Sequence, residues 1–247
     1  MNRFDYWAKK VFGKAEVFAD AFNGMLFEGE NVIKADSLQD VPTTQLARIG
    51  RRKIKRERDL LKRLAFKTDG ISSFVMLGIE AQSYADRTIA ARAMLYDAIL
   101  YIDEIAEVFA RNRNKKNLPK EYFLSGFLPD DMISPVVTMV MDLSGDDAQP
   151  VRSLHEILNF GDERFREFVS DYRINVVSPT SMERDKIMRY GRDAGAVMLS
   201  AKFASYKKLR VSCIMLTTAT CPSQLPTNCA PQDRSQLTSC HSGERVL

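Results

Sequence analysis

The chain has 247 residues, of which 45% are hydrophobic, so it can build a substantial core and is not an intrinsically disordered protein. Its 36 Lys and Arg residues against 32 Asp and Glu residues leave a formal net charge of +4, which is too small to identify a partner. The apolar stretches fall far short of the roughly 20 residues that span a bilayer, and the N-terminal residues lack the pattern of a secretory signal. We therefore predict a soluble, cytoplasmic protein without a membrane partner.

The first predicted element is a helix over residues 14–27, where apolar side chains recur at helical spacing and Gly29 is suited to end the helix. Residues 32–41 are predicted to be extended. The next segment, residues 51–63, carries eight basic side chains against two acidic ones, and we predict that a strand ends in it near Asp59 to Lys62. Such a run is either a solvated surface or a contact for phosphates, and the sequence favours neither.

A hairpin is predicted from the Asp-Gly pair at residues 69–70, which is a strong turn signal between two apolar runs. Its two strands would cover residues 54–66 and 71–82. Because the strands of a hairpin run side by side, this pairing would bring Asp59 toward Glu80.

The apolar run over residues 74–83 ends in two polar side chains, Glu80 and Gln82. They share one face of the strand because successive side chains alternate between faces. Gly78 lies on the same face, where the missing side chain would leave room for the backbone of a substrate. This edge of the sheet, together with Asp59, is the candidate catalytic site.

The chemistry that these side chains favour is metal-assisted hydrolysis of a phosphodiester, in which a divalent cation neutralises phosphate charge and activates a water. Mg²⁺ prefers oxygen ligands and often takes only one or two carboxylates. Asp59 and Glu80 would supply them, the carbonyl of Ala81 would add a ligand, and Gln82 would orient the water. Spacing alone is weak support, since an Asp and a Glu-x-Gln pair occur by chance in many proteins.

The later elements alternate between helix and strand. They are predicted as a long helix over residues 88–110, a buried strand over 133–143, a short helix capped by Ser153, a strand over 172–177 and a last helix from 181 to about 209. This alternation predicts an α/β domain with a mixed sheet.

The chain is predicted to divide near residue 210. Residues 1–210 would form the folded domain, whereas residues 211–247 are rich in Ser, Thr, Pro and Cys, lack periodicity and are predicted to be a disordered tail. The tail holds all four cysteines without a Cys-x-x-Cys pair, which favours free thiols in a reducing compartment over a zinc site.

Several motifs, in order along the chain, resemble those of a known family. They are Phe22-Asn23-Gly24-Met25-Leu26-Phe27-Glu28-Gly29, Arg58-Asp59-Leu60-Leu61-Lys62, Leu77-Gly78-Ile79-Glu80-Ala81-Gln82-Ser83, Met94-Leu95-Tyr96-Asp97-Ala98 and Phe123-Leu124-Ser125-Gly126-Phe127. Shorter similarities follow at residues 135–138, 152–156 and 171–175. Over roughly residues 10–210, the chain resembles the Rpn-type recombination-promoting nucleases and putative transposases of the PD-(D/E)xK nuclease superfamily.

The resemblance implies a restriction-endonuclease-like α/β core, with a central mixed β-sheet flanked by helices. It also implies DNA cleavage that depends on Mg²⁺ or Mn²⁺ and is linked to mobile elements in bacteria. The acidic pair of the superfamily falls on Asp59 and Glu80, and Gln82 stands where many members have Lys. A further acidic ligand would come from the first predicted helix, from Asp20 or, with less support, from Glu16.

DNA contacts are expected from the basic segment and from the start of the long helix. Arg92 and Tyr96 are four residues apart, so they share a helix face that would meet a phosphate. A surface Arg beside a packed Tyr is the equally supported alternative. Related sequences favour Met-Pro-Val-Arg here, and residues 89–92 keep only the Arg. The predicted DNA-binding residues are Arg51, Arg52, Lys53, Lys55, Arg56, Lys62, Arg92 and Tyr96.

The leading hypothesis is therefore a metal-dependent DNA endonuclease of a mobile-element-associated, recombination-promoting type. Asp59, Glu80 and Gln82 would form its catalytic site, its partner would be DNA, and assembly into a homodimer is left open. The alternative is a catalytically inactive relic, or a DNA-binding protein, that retains the nuclease fold. The unusual tail and the altered start of the long helix motivate this alternative.

Overall fold

The computed structural model describes residues 3–49, 52–68, 71–114, 120–122, 124–144 and 150–204. The following predictions fall outside these residues: the tail at 211–247, the turn at 69–70, the DNA contact at Arg51 and the end of the last predicted helix. They stay predictions.

Helices form where apolar side chains recur every three or four residues and can face a core. The α-helices are α1 (Arg3–Phe12), α2 (Ala15–Leu26), α3 (Ile89–Arg113), α4 (Arg184–Met188) and α5 (Arg192–Ala204). Short 3₁₀ helices cover Ala35–Ser37, Lys120–Tyr122, Leu154–Ile157, Glu163–Phe168 and Pro179–Ser181. α2 and α3 confirm the two long helices predicted earliest in the chain. Across the described ranges, no helix combines the length and apolar character needed to cross a membrane.

The strands form one mixed sheet and one separate ribbon. They are β1 (Leu38–Asp40), β2 (Thr44–Ile49), β3 (Arg52–Glu57), β4 (Leu60–Thr68), β5 (Ile71–Gln82), β6 (Val136–Asp142) and β7 (Asn175–Val177). The main sheet has the order β1-β4-β5-β6-β7, and β2 pairs with β3 in the ribbon. β1, β4 and β5 pair antiparallel, whereas β5, β6 and β7 pair parallel. An α/β fold with a mixed sheet is therefore confirmed.

The predicted hairpin is present, but its first strand begins later than expected. β4 and β5 pair from Leu60 opposite Ile79 to Thr68 opposite Ile71. Residues 54–57 belong instead to β3 and pair with β2. A strand was predicted to end near Asp59 to Lys62. β3 ends slightly earlier, at Glu57, whereas Lys62 lies inside β4, which begins at Leu60.

The two faces of the main sheet have different surroundings. Leu77, Ile79, Met139 and Met141 join the main core with apolar side chains of α1, α2, α4 and α5. On the opposite face, Val140 packs with Ile89, Ala90 and Ala93 of α3. Because side chains alternate along β5, Gly78, Glu80 and Gln82 project toward the α3 side of the sheet. This alternation places the polar end of β5 beside the first turns of α3.

The last predicted helix is split in two. α4 ends at Met188 and α5 begins at Arg192. Gly191, between them, has a φ angle of 77°, which lies in the left-handed region that glycine adopts without strain. The part of this predicted helix beyond residue 204 lies outside the description.

Candidate active site

Asp59 is fixed against the end of β5, as the hairpin prediction required. Because Leu60 pairs with Ile79, the antiparallel register places Asp59 next to Glu80. The Asp59 Oδ2 atom accepts a hydrogen bond of 2.8 Å from the Ala81 backbone N–H. The two candidate metal ligands therefore lie at one edge of the β4–β5 hairpin.

Lys9 on α1 contacts the same carboxylate, and nothing in the sequence pattern marks it. Its Nζ atom lies 2.5 Å from Asp59 Oδ1, and the two side chains are 32% and 16% exposed. Sequence analysis missed this residue because α1 is remote along the chain and meets β5 only in the tertiary structure. Both carboxylate oxygens of Asp59 are therefore occupied, Oδ1 by Lys9 and Oδ2 by the Ala81 N–H.

Glu80 is a buried carboxyl group with an incomplete set of partners. The residue is 3% exposed, and its Oε1 atom has no hydrogen-bond partner among the described residues. Burial, helped by repulsion from Asp59, raises the pKa of the Glu80 carboxyl from 4.5 to about 7, against the attraction of Arg58, Arg92 and Lys9. A cation held by both acids would relieve the repulsion between them and favour the ionised form of Glu80.

Gln82, the last residue of β5, also has a spare polar atom. Its Nε2 atom is buried without a hydrogen-bond partner in the part of the chain that the structure describes. In the parallel register its neighbour on β6 is Asp142, whose carboxylate accepts hydrogen bonds from Ser144 and Ser178. Gln82 therefore keeps an N–H donor that no described side chain uses.

The space beside Gly78 is filled by Arg58, which corrects the prediction that this space is open to the backbone of a substrate. A Cβ atom added to Gly78 would lie 2.4 Å from Arg58 Nη1. The Arg58 side chain is fully buried and pairs with Asp97 of α3. Its Nη1 atom also donates to Thr138 Oγ1 of β6 at 2.7 Å. Glycine is needed at this position because the guanidinium passes over the strand.

Asp97 is the centre of the network that holds Arg58. It accepts hydrogen bonds from Arg58, from Thr138 Oγ1 at 2.7 Å and from the Tyr172 hydroxyl. Burial and this hydrogen bond raise the pKa of Tyr172, so the phenol stays protonated and donates. Arg58 and Asp97 both fall in the motifs that carry the family resemblance, and that was the only signal that marked them. The network therefore ties Arg58, the residue before Asp59, to α3 and β6.

Arg92 and Tyr96 are neighbours on α3, as their spacing predicts. Arg92 Nη2 lies 3.4 Å from the Tyr96 hydroxyl and 3.9 Å from Glu80 Oε2. Arg92 Nη1 donates to Asp86 at 2.7 Å, and hydrogen bonds from Thr88 and Arg92 outweigh burial and lower the pKa of Asp86. Tyr96 is buried and Arg92 is 39% exposed. This arrangement matches a surface Arg beside a packed Tyr, and the phosphate contact stays a prediction.

Asp20 faces α5 instead of the acidic pair. A Cβ atom added to Gly191 would lie 2.2 Å from Asp20 Oδ2. Burial, followed by the charges of Asp193 and Glu16, raises the pKa of Asp20. These contacts give no support to Asp20 or Glu16 as a third metal ligand.

Lys62 differs from the other predicted DNA contacts because its side chain is only 5% exposed. Its ammonium pairs with Asp40 of β1 and lies 5.5 Å from the ring centroid of Phe18. The structure therefore gives Lys62 partners inside the protein, and we leave it out of the proposed DNA surface.

The remaining predicted DNA contacts lie on the ribbon of β2 and β3. Arg52, Lys53, Lys55 and Arg56 are all on β3. In the antiparallel register Arg48 lies opposite Lys53.

The donor set at the end of β5 fits a hard divalent cation with few protein ligands. Asp59 and Glu80 supply carboxylate oxygens, and Mg²⁺ is often held by one or two carboxylates while it keeps several waters. Within the described residues, no group of three or more His, Cys, Asp and Glu side chains could hold a metal ion. No protein-family model, no curated protein and no solved structure matches the chain.

Proposed function

We propose that this chain is a metal-dependent DNA endonuclease of the recombination-promoting type, with Asp59, Glu80 and Gln82 as its catalytic residues. The observation that carries the proposal is the convergence of Asp59 and Glu80 at one edge of the hairpin. Glu80 there combines a buried oxygen, which has no hydrogen-bond partner in the described part of the chain, with a pKa raised to about 7. A buried acid with a raised pKa, lying beside a second carboxylate, is typical of functional sites.

The metal that this site would hold is Mg²⁺ or Mn²⁺, bound by the carboxylates of Asp59 and Glu80. Bound there, the ion would neutralise charge on the phosphate and lower the pKa of the attacking water. Two observations support this assignment: Glu80 Oε1 has no hydrogen-bond partner among the described residues, and Asp59 is held in place by the Ala81 N–H.

The chain's own groups would position the substrate and the water. The Gln82 amide would donate its unused N–H to the water, replacing the charged donor of a Lys with a neutral one. Arg92 would face the phosphate from the rim of the site, where Asp86 and Tyr96 hold its guanidinium. Catalysis would then rest on positioning and on charge already in place before the reaction.

The fold is compatible with the restriction-endonuclease-like core that the resemblance implies. The β4–β5 hairpin is followed by the crossover helix α3 and by β6, which lies parallel to β5. This connection brings α3 over the polar face of β5. The link to mobile elements rests on the sequence resemblance alone.

The ribbon of β2 and β3 is the proposed contact for duplex DNA. Its two strands carry five basic residues and one acidic residue. A two-stranded ribbon fits the major groove, and basic residues along it would contact phosphates and release counterions.

The test is nicking of a supercoiled plasmid with Mg²⁺ and with a chelator, for the wild type and the variants Asp59→Asn and Glu80→Gln. We expect metal-dependent nicking by the wild type, with a loss of at least about 100-fold in each variant. Glu107→Gln, an exposed acid on α3, is the matched control and should cut normally. Unchanged nicking by the Asp59, Glu80 double variant would refute the proposal.

A second candidate function, a DNA-binding protein without catalysis, is favoured by one observation. The described residues contain only two converging acids where a metal site would be expected. Calorimetric titration with Mn²⁺ separates the two functions. Binding of DNA with a steep salt dependence, but without Mn²⁺ binding or nicking, would identify the non-catalytic protein.

A further inference from the structure

Lys9 is placed at the acidic pair by the packing of α1. Ala8 and Phe12 of this helix are both 0% exposed in the main core, which fixes the helix against the sheet. Lys9 lies between them on the flank of the helix, and its ammonium meets Asp59 Oδ1 at 2.5 Å. The position is therefore set by two buried neighbours rather than by a flexible terminus.

The cations around Glu80 differ in what holds them. Arg58 is buried and committed to Asp97, and Arg92 is paired with Asp86. Lys9, by contrast, is paired with Asp59, one of the two proposed metal ligands. Its charge also lowers the pKa of Glu80, so it acts on both acids.

Lys9 also has the freedom to change partners. Its ammonium ends a flexible four-carbon stem with three donors, and its side chain is 32% exposed. An ammonium and a divalent cation compete for the same oxygen of Asp59. A competitor bound there would leave the ammonium free to meet the nearest anion, and in the proposed reaction that anion is the phosphate.

We propose that Lys9 is a phosphate-contacting residue of this site. In the free protein it is the counter-ion of Asp59, and with substrate bound it supplies the positive charge that Gln82 lacks. This inference rests on the proposed function, because it assigns Lys9 a role in that same reaction.

The experiment compares Lys9→Met with Lys10→Met. Lys10 is the exposed neighbour on α1, so its substitution removes the same charge without touching Asp59. Mn²⁺ binding is measured by calorimetry, plasmid nicking is measured under single-turnover conditions, and thermal denaturation checks folding. For Lys9→Met we expect Mn²⁺ to bind about three- to tenfold more tightly, because a competing charge is gone, and nicking to slow by about 100-fold.

The charge-preserving variant Lys9→Arg adds a second comparison. It should recover nicking to within about tenfold of the wild type, because it keeps a cation but changes its shape. Lys10→Met should match the wild type in both measurements.

The outcomes distinguish this inference from the proposed function. If the wild type binds Mn²⁺ and nicks DNA while Lys9→Met and Lys10→Met behave alike, the role of Lys9 is refuted and the proposed function stands. A purely structural tie between α1 and β4 would change the denaturation temperature of Lys9→Met and leave both other readouts unchanged, which also refutes the inference. A wild type that neither binds Mn²⁺ nor nicks DNA refutes the proposed function and this inference with it.

Discussion

At the scale of single residues, Arg58 explains how the candidate site is supported. Arginine is seldom fully buried unless it is paired, and here its partners are Asp97 and Thr138. Removing one member of such a buried pair would leave an uncompensated charge. Arg58 therefore anchors the chain directly before Asp59 and leaves the neighbouring carboxylate in a defined place.

Glu80 is an acid whose buried surroundings favour its neutral form. Its burial and its neighbour Asp59 favour the protonated carboxyl. The protonated form does not destabilise the fold at acid pH, whereas ionisation of Glu80 at higher pH does. A bound cation would reverse this preference, because it stabilises the ionised form.

The first prediction concerns the stability of the metal-free protein against pH. The folded-state pKa of about 7 lies above the ordinary value of 4.5. The folded state thus keeps a proton that the unfolded state releases, so stability falls as the pH rises past 4.5 and levels off above about 7. The loss should reach about 3 kcal/mol, measured as the free energy of unfolding by urea in the presence of a chelator.

Glu80→Gln provides the control for this prediction. The amide has similar size and does not titrate, so the variant should lack that part of the pH dependence. Because other groups titrate equally in both proteins, the difference between the two curves isolates Glu80. Parallel curves across this range would contradict the raised pKa.

At the scale of elements, the hairpin of β4 and β5 creates the candidate site, and the glycines set where helices end. Alternation along β5 separates its apolar face from the polar face of Glu80 and Gln82.

The break between α4 and α5 occurs at Gly191, where the backbone is left-handed and Asp20 leaves no room for a side chain. Gly195, inside α5, has ordinary surroundings.

The second prediction uses this matched pair of glycines. Gly191→Ala should destabilise the protein by more than about 1 kcal/mol, because alanine is strained at a positive φ and meets the Asp20 carboxylate. Gly195→Ala should stabilise it by about 0.5–1 kcal/mol, because alanine favours a helix and its Cβ fits there. Chemical denaturation measures both, and effects of the same sign would contradict the assignment of the helix break.

At the scale of the whole molecule, tertiary packing gathers charges that are far apart in the sequence. Lys9 comes from α1, Asp59 and Glu80 from the hairpin, and Arg92 from α3. The basic ribbon of β2 and β3 leaves the main sheet between β1 and β4, next to the residues that precede Asp59. Only Arg58 separates Glu57, the last residue of the ribbon, from Asp59 of the acidic site.

The third prediction tests this ribbon as a DNA contact. Lys53→Gln combined with Lys55→Gln should weaken binding of duplex DNA and lower the slope of log affinity against log salt by about 1 per lost phosphate contact. The control pair is Arg184→Gln with Lys186→Gln, two exposed cations on α4. Fluorescence anisotropy over a salt series gives both slopes, and equal slopes for the two pairs would exclude the ribbon.

Local patterns were sufficient to predict much of the secondary structure. The helical periods of α2 and α3 and the Asp-Gly turn signal depend on neighbouring residues, so they can be recognised in the chain. What fills the space beside Gly78 could not be predicted, since the guanidinium of Arg58 reaches this glycine only in the tertiary structure. The start of β4 was also missed, because the ribbon of β2 and β3 takes residues that look like part of the same strand.

The sequence by itself determined the mixed α/β character, the hairpin and the approach of Asp59 to Glu80, because each depends on short-range periodicity and one turn. Only the tertiary structure decided which cations surround that pair. Lys9 arrives through the packing of α1, and Arg58 is drawn into the sheet by Asp97. Burial also exists only in the folded chain, so the raised pKa of Glu80 and its unpartnered oxygen are properties of the fold. Contacts between charged residues that are distant in the sequence, and the burial of a side chain, depend on tertiary packing, which no local sequence pattern encodes.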